Sequence, residues 1–325
     1  MAANLLEVNN LKTYFYTRGG VIKAVDDVSF TMKPGETLGV VGESGSGKSV
    51  TALSVMRLIA TPPGKIAGGE IIFDGDDILN KSQEELTELR GSKISMIFQD
   101  PMTSLNPVFT VGYQIAETVK RHRKDVSKDQ AWRRAVEMLD LVRIPDAAKR
   151  AKSYPHEFSG GMRQRVMIAI ALACNPQLLI ADEPTTALDV TIQAQVLELM
   201  KGLSQEFGTA VMLITHDLGV VAGTCQHVNV MYAGHVVESA PVKQIFATPA
   251  HPYTIGLLQS IPRVDDMRGS RLTPIPGQPP DMVNPPEGCP YAARCPKVQT
   301  RCRQERPELQ LVGRGEQTAA CFYPD

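Results

Sequence analysis

The 325-residue sequence contains no apolar run long enough to cross a membrane. Its longest such run extends from Val166 to Cys174. A spanning helix needs roughly 20 apolar residues. Residues 1–10 also lack the basic segment followed by an apolar stretch that marks a signal peptide. We therefore expect a soluble, cytosolic chain that acts at a membrane only through a partner.

The sequence also lacks an excess of either charge. Its 34 basic and 35 acidic residues give a net charge of −1 at pH 7. This balance favours neither nucleic acid nor anionic lipid as a partner. Hydrophobic residues make up 43% of the chain, as in ordinary globular proteins, and no internal repeat is present.

What the sequence does contain is a complete phosphate-binding loop, Gly-Glu-Ser-Gly-Ser-Gly-Lys-Ser, at residues 42–49. The apolar run at 37–41 predicts a strand before it, and the apolar stretch at 50–59 predicts a helix after it. Backbone N–H groups of such a loop close around phosphate oxygens. We expect Lys48 to reach the β- and γ-phosphates and Ser49 to ligate Mg²⁺.

Two further segments carry chemistry that fits this loop. Asp182 and Glu183 follow an apolar strand, which suits Asp182 to hold Mg²⁺ and Glu183 to orient or deprotonate water. Ser159, Gly160 and Gly161 open a helix and form a second anion-binding device. Either segment alone is more often structural, but beside a phosphate loop both favour nucleotide chemistry.

The pattern along the chain predicts a mixed α/β core with a buried sheet. We expect a hairpin at residues 5–40, strands at 68–75, 94–98, 178–181 and 211–214, and helices between 112 and 150. Eight prolines lie between Pro274 and Pro296, a density that forbids regular helix or sheet. The sequence therefore predicts a loop-rich appendage after the core.

Four of the six cysteines lie in this appendage, at Cys289, Cys295, Cys302 and Cys321. In a reducing compartment such a cluster favours a metal site over disulfides. The spacing is neither the paired C-x2-C of zinc ribbons nor a common ferredoxin pattern. Four thiolates suit an iron–sulfur cluster or zinc. Cys174 and Cys225 are expected to be buried thiols.

Six motifs occur in one order: the phosphate loop, Gln99, Ser159-Gly-Gly, Asp182-Glu183, Ala187-Leu-Asp189 and Thr215-His-Asp217. Over residues 5 to about 245 this order resembles the ATP-binding subunit of an ABC transporter. The signature segment departs from the commonest form in having Phe158 and Met162 where Leu and Gln are usual. Segments 98–107, 154–165 and 288–296 are similar to the ATPases of bacterial oligopeptide/dipeptide permeases, above all to the D-type subunit.

The resemblance implies an α/β fold, the P-loop NTPase of ABC type. It implies a RecA-like core, an antiparallel β subdomain and a helical subdomain at about 100–165, all within residues 1–250. Residues 251–325 would form a Pro/Cys-rich extension. The ATPases of this family work as head-to-tail dimers with two ATP molecules between them.

The resemblance also implies the site residues. In the same chain, ATP would contact Phe15, Gly42, Glu43, Ser44, Gly45, Ser46, Gly47, Lys48, Ser49, Val50, Gln99 and His216. From the second ATPase it would be contacted by Ser159, Gly160, Gly161, Gln164 and Asp189. The catalytic set would be Glu183, His216, Gln99 and Lys48, and Mg²⁺ would be held by Ser49, Gln99 and Asp182. Phe15, flanked by Tyr14 and Tyr16, would stack on adenine.

For the extension, the resemblance favours a structural [4Fe–4S] cluster held by Cys289, Cys295, Cys302 and Cys321, with zinc as the alternative. The implied partners are a second ATPase subunit, preferably a different one, and two transmembrane permease subunits. Residues 99–107 and 112–150 would grip a helix of the permease. An extracytoplasmic peptide-binding protein would act indirectly, and nucleic acid is not expected. The chain would lie at the cytoplasmic face of the inner membrane.

The implied function is ATP hydrolysis that energises import of dipeptides and oligopeptides. A nickel or other small-solute importer is the alternative, because the ATPases of such importers look similar. An ABC ATPase acting on nucleic acid or the ribosome is a remote alternative, since those usually carry two ATPase units, a long insertion or a basic surface. A non-hydrolysing switch is disfavoured by the intact Glu183 and His216.

Overall fold

The computed structural model describes residues 4–100, 104–186, 189–260, 274–313 and 315–325. The chain divides into two compact units. The first unit draws on residues 1–32, 37–79 and 213–325, and the second on 33–36 and 80–212. Within the described ranges, no helix is both long and apolar enough to cross a bilayer.

One sheet of the first unit is antiparallel, with the strand order β2-β1-β4-β5. Its strands are β1 (Leu6–Thr17), β2 (Gly20–Met32), β4 (Gly64–Phe73) and β5 (Asp76–Asp77). Thr17 pairs with Gly20 across the turn, so the predicted hairpin is confirmed. Alternate residues of β1 are buried, which is the period expected of a strand with one face on the core.

The other strands of the first unit begin with β3 (Thr37–Val41), which runs parallel to β9 (His227–Tyr232). Strand β10 (His235–Pro241) pairs antiparallel with β9. Near the C-terminus, β12 (Thr318–Ala319) pairs with β10, and β11 (Gln310–Leu311) pairs with β12. The C-terminal residues therefore extend a sheet whose other strands come from the core.

The helices of the first unit are α1 (Lys48–Val55), α8 (Leu218–Thr224), α9 (Val242–Ala247), α10 (Pro252–Gln259) and α11 (Thr300–Gln304). Residues 274–296 contain neither helix nor strand, as their proline density predicts. The segment nevertheless contributes to the core, because Tyr291 is buried and packs in one apolar cluster with Val41, Tyr232 and Tyr253. The extension is thus stabilised by burial against the core.

In the second unit, β6 (Ile94–Ile97) runs parallel to β7 (Leu178–Asp182). Its helices are α2 (Gln83–Leu89), α3 (Val111–His122), α4 (Lys128–Leu141), α5 (Ala147–Arg150), α6 (Gly160–Leu172) and α7 (Val190–Phe207). Helices α3 to α5 occupy the range predicted to be helical. Ser82 and Ser127 begin α2 and α4 with capping boxes, which satisfy free N–H groups of the first turn. In β8 (Ala210–Thr215) the chain passes from the second unit to the first.

Candidate active site

The phosphate loop joins β3 to α1 in the first unit. Gly42, Gly45 and Gly47 have φ angles of 154°, 78° and 101°, which residues with a side chain rarely adopt. A Cβ atom at Gly42 would lie 2.1 Å from the carbonyl oxygen of Met231, and one at Gly47 would lie 2.5 Å from that of Ala24. Both conformation and close packing therefore require glycine at the two ends of the loop.

Lys48 folds over this loop. Its Nζ donates hydrogen bonds to the carbonyl oxygens of Gly42 (2.8 Å) and Glu43 (2.9 Å), and only 5% of the residue is exposed. Helix α1 begins here without a side-chain cap at Gly47. Of the remaining predicted contacts, Ser44 and Gly45 are exposed, Ser46 is buried, and Ser49 and Val50 are half-buried. A cation and a helix N-terminus at one glycine loop fit a polyphosphate.

In the second unit, the parallel strands β6 and β7 place Ile97 opposite Ala181. Gln99 and Glu183 lie just beyond the C-terminal ends of these two strands. The Nε2 of Gln99 donates to Oε2 of Glu183 at 3.2 Å, and the hydroxyl of Thr186 donates to the same oxygen at 2.9 Å. The structure therefore brings two of the predicted catalytic side chains into direct contact.

Asp182 and Glu183 have different environments. Asp182 ends β7 and is 7% exposed, whereas Glu183 is half-buried. Glu183 has a φ angle of +45°. A left-handed conformation costs a non-glycine residue about 1 kcal/mol or more, and such strain is concentrated at functional sites. The catalytic role of Glu183 stays a prediction.

Ser159 is the N-cap of α6, and its hydroxyl accepts a hydrogen bond from the Met162 N–H at 3.4 Å. Ser159 and Gly160 are exposed, and Gly161 is half-buried. Gln164 is only 2% exposed, and its Nε2 has no hydrogen-bond partner. The first turn is therefore accessible to an external ligand, while the side chain of Gln164 is not.

Two further predicted residues end or begin regular elements. Asp189 caps α7, because its Oδ1 accepts from the Ile192 N–H at 3.0 Å. His216 directly follows β8 and is exposed. Asp189 belongs to the second unit and His216 to the first.

The three neighbouring aromatic residues of β1 have different surroundings. The hydroxyl of Tyr14 donates to Oδ1 of Asp26 at 2.6 Å, and Tyr16 is 51% exposed. Phe15 is half-buried, and its ring lies 3.0 Å from the position of a Cβ atom built on Gly64. Stacking of Phe15 on adenine remains a prediction.

Two residues that the sequence patterns do not identify, Arg294 and Tyr253, contact the phosphate loop. Arg294 donates to both carboxylate oxygens of Glu43, and the Tyr253 hydroxyl accepts from the Glu43 N–H. Arg294 lies within segment 288–296, where only the cysteines suggest a chemical role from the sequence. No local pattern predicts a partner 251 positions away.

None of the six cysteines forms a disulfide. The pKa of Cys289 is raised to about 11, chiefly by burial, with smaller contributions from the nearby Cys302, Cys321 and Cys295. Burial also raises the pKa values of Cys295 and Cys321. Within the described chain, no group of three or more His, Cys, Asp or Glu residues is arranged to hold a metal ion. The geometry therefore gives no support to the predicted cluster.

Comparison with known families gives two matches. The family described as ABC transporter matches residues 25–186, and the family described as the C-terminal region of oligopeptide/dipeptide transporters matches residues 237–302.

Curated relatives match nearly the whole chain. A probable peptide ABC transporter ATP-binding protein of Sinorhizobium fredii is 56% identical over 98% of this chain and 94% of its own length. The oligopeptide transport ATP-binding protein OppD of Salmonella typhimurium is 54% identical over 98% of this chain and 94% of its own length. Among solved structures, a dimeric ATP-binding cassette bound to ADP and phosphate in a post-hydrolysis state has a TM-score of 0.66. This cassette is 29% identical to the chain, and the match covers 73% of this chain and 98% of the cassette's own length.

Proposed function

Because the chain belongs to the ABC transporter family of ATP-hydrolysing subunits, we propose that it energises the import of dipeptides and oligopeptides through a membrane permease. The observation that carries this proposal is the match of residues 237–302 to the oligopeptide/dipeptide transporter region. Peptide transport ATP-binding proteins that align with 98% of the chain support the same cargo class.

In the proposed mechanism, residues 42–49 bind the phosphates of ATP, with Lys48 at the β- and γ-phosphates. Glu183 orients or deprotonates the water that attacks the γ-phosphate, and the hydrogen bond from Gln99 holds its carboxylate. His216 contacts the γ-phosphate, and Phe15 stacks on adenine. Positioning and charge neutralisation supply most of the rate.

Two inorganic cofactors fit the available donors to different degrees. Ser49, Gln99 and Asp182 carry oxygen atoms of the kind that Mg²⁺ prefers, and the ion, when bound, would neutralise phosphate charge. The four thiols of the extension match the donors of a [4Fe–4S] cluster or zinc. Because a cysteine binds a metal as the thiolate, metal binding would release protons. Burial, which raises the pKa values of Cys289, Cys295 and Cys321, opposes that release. Metal analysis of anaerobically purified protein tests this: about four irons per chain support the cluster, and one zinc supports the alternative.

The proposed assembly contains a second ATPase, preferably a different subunit. The exposed Ser159 and Gly160 of this chain would contact the ATP that is bound to that second subunit. The dimeric cassette with ADP and phosphate supports this arrangement. Two permease subunits would bind the exposed apolar residues Val108 (70%), Phe109 (43%) and Tyr113 (46%) of the second unit. The chain would then lie at the cytoplasmic face of the inner membrane, with a peptide-binding protein on the opposite side.

The test uses the assembled transporter in liposomes together with its binding protein. ATP hydrolysis should rise when peptide is added and should stay at its basal rate with nickel. The Lys48→Ala variant should lose both ATP binding and hydrolysis, because its ammonium group is the cation at the phosphate loop. Stimulation of ATP hydrolysis by nickel alone would identify nickel, and not peptide, as the cargo. Unchanged ATP binding by Lys48→Ala would contradict the assignment of residues 42–49 as the phosphate loop.

A further inference from the structure

Arg294 is a buried arginine of the C-terminal segment, by which we mean residues 274–296. It forms an ion pair with Glu43 of the phosphate loop. The Nη1 and Nη2 atoms of Arg294 donate to Oε2 and Oε1 of Glu43 at 2.5 and 2.9 Å. The side chain of Arg294 is 4% exposed and that of Glu43 is 29% exposed. Both residues belong to the first unit. Such two-pronged pairs are among the strongest and most directional polar contacts in proteins.

Arg294 has a partner for each of its five N–H groups. Besides the two bonds to Glu43, Nε donates to the carbonyl oxygen of Pro276 at 2.9 Å. Nη1 also donates to the Tyr232 hydroxyl, and Nη2 to the Ile275 carbonyl, both at 3.3 Å. A lysine ammonium has three donors and cannot reproduce this fork. The geometry therefore specifies arginine at this position.

The backbone of Glu43 is held as well. Its N–H donates to the hydroxyl of Tyr253 at 2.9 Å. Tyr253 is fully buried, with ring centroids 4.6 Å from Tyr232 and 5.4 Å from Tyr291. Since Tyr291 and Arg294 lie in the same short segment, that segment supplies both charge and packing around Glu43.

Glu43 places a negative charge in a loop whose ligand is a polyphosphate. A partly buried carboxylate is weakly screened, so without a partner it would repel the phosphates. The backbone carbonyl oxygen of Glu43 also accepts a hydrogen bond from Nζ of Lys48 at 2.9 Å. A shift of Glu43 would consequently disturb the ammonium that binds the nucleotide.

We propose that Arg294 is a positioning residue for ATP, which neutralises Glu43 and fixes the phosphate loop in its nucleotide-binding form. The C-terminal segment is then part of the ATP-binding apparatus. This inference rests on the proposed assignment of residues 42–49 as the phosphate loop.

The test replaces Arg294 with methionine in the full-length chain and measures the Kd for Mg-ATP, together with KM and kcat in the assembled transporter. The Kd and KM should rise about tenfold or more, because the unpaired carboxylate of Glu43 would repel the phosphates of ATP. The kcat at saturating ATP should change much less, since Glu183 is untouched. Adding Glu43→Gln to Arg294→Met should restore most of the affinity, because the unpaired carboxylate is then gone.

Arg301→Met is the matched control. Arg301 lies in the same extension but binds Glu305 at 2.9 Å and stacks on Phe322, so ATP affinity should stay at the wild-type value. If Arg294→Met does not fold, Arg294→Lys takes its place, which keeps the charge and loses the fork. It should bind ATP several-fold more weakly, and wild-type affinity would overturn the proposal.

Three results separate the possibilities. Wild-type ATP affinity in Arg294→Met, with binding lost in Lys48→Ala, overturns the inference and leaves the phosphate loop in place. Failure of Glu43→Gln to restore affinity overturns the charge-neutralising role of Arg294. Wild-type binding by Lys48→Ala overturns the phosphate-loop assignment itself.

Discussion

Glu183 combines a left-handed backbone with a half-buried carboxylate, one oxygen of which accepts hydrogen bonds from Gln99 and Thr186. Two donors on one oxygen fix the orientation of the carboxylate. A group oriented in advance loses less entropy when it acts on water. Such an orientation is what the proposed role of Glu183 as general base requires.

Replacing Glu183 with glutamine should lower the steady-state rate of ATP hydrolysis by about a hundred- to ten-thousandfold, the usual contribution of a general base. ATP binding should persist, because the phosphate loop is unchanged. Phosphate release and equilibrium nucleotide binding measure the two effects. Glu198→Gln, at an exposed position of α7, is the control and should hydrolyse ATP normally. Normal turnover by Glu183→Gln would exclude this residue as the base.

At the scale of elements, the helical part of the second unit depends on close contact at one glycine. The N–H of Gly112, near the start of α3, donates to the Ala151 carbonyl at 2.9 Å. A Cβ at Gly112 would lie 2.6 Å from that oxygen, 2.8 Å from the Ala151 Cβ and 2.9 Å from the Trp132 ring. Because two of these neighbours belong to Ala151 itself, they cannot be relieved by a change of side-chain rotamer.

Gly112→Ala should therefore lower the free energy of unfolding by about 1–3 kcal/mol, the usual cost of overpacking. Gly202 lies inside α7 of the same unit, and a Cβ atom added there would have no neighbouring atom within 4 Å. Gly202→Ala should raise stability by about 0.5–1 kcal/mol through helix entropy. Urea denaturation of both variants checks the contrast, and equal stabilities would contradict it.

The sequence predicts well where short-range patterns decide the structure. The phosphate loop, the hairpin around Thr17 and Gly20, and the strand before Asp182 all follow from local spacing. Gln164, predicted to contact a partner's ATP, is buried in α6 together with the apolar residues that follow it, and its contact with ATP stays a prediction. The clustering of four cysteines suggests a metal site, whereas among the described residues no group of three or more possible ligands is arranged to hold a metal ion.

At the scale of the whole molecule, residues 213–325 cluster with the N-terminal strands in one compact unit. The sequence alone favours an appendage beginning at 251, because prolines and cysteines change its composition there. Composition does not reveal that β12 pairs with β10 or that Arg294 binds Glu43. Both contacts join distant positions and depend on the tertiary course of the chain.

ATP hydrolysis by this chain energises peptide import. The most direct test is uptake of a labelled tripeptide by cells in which the chain is replaced by the wild type or by Glu183→Gln at equal abundance. The wild type should restore uptake, and Glu183→Gln should leave it at the level of cells lacking the chain. Uptake at the wild-type rate in the Glu183→Gln cells would contradict the account.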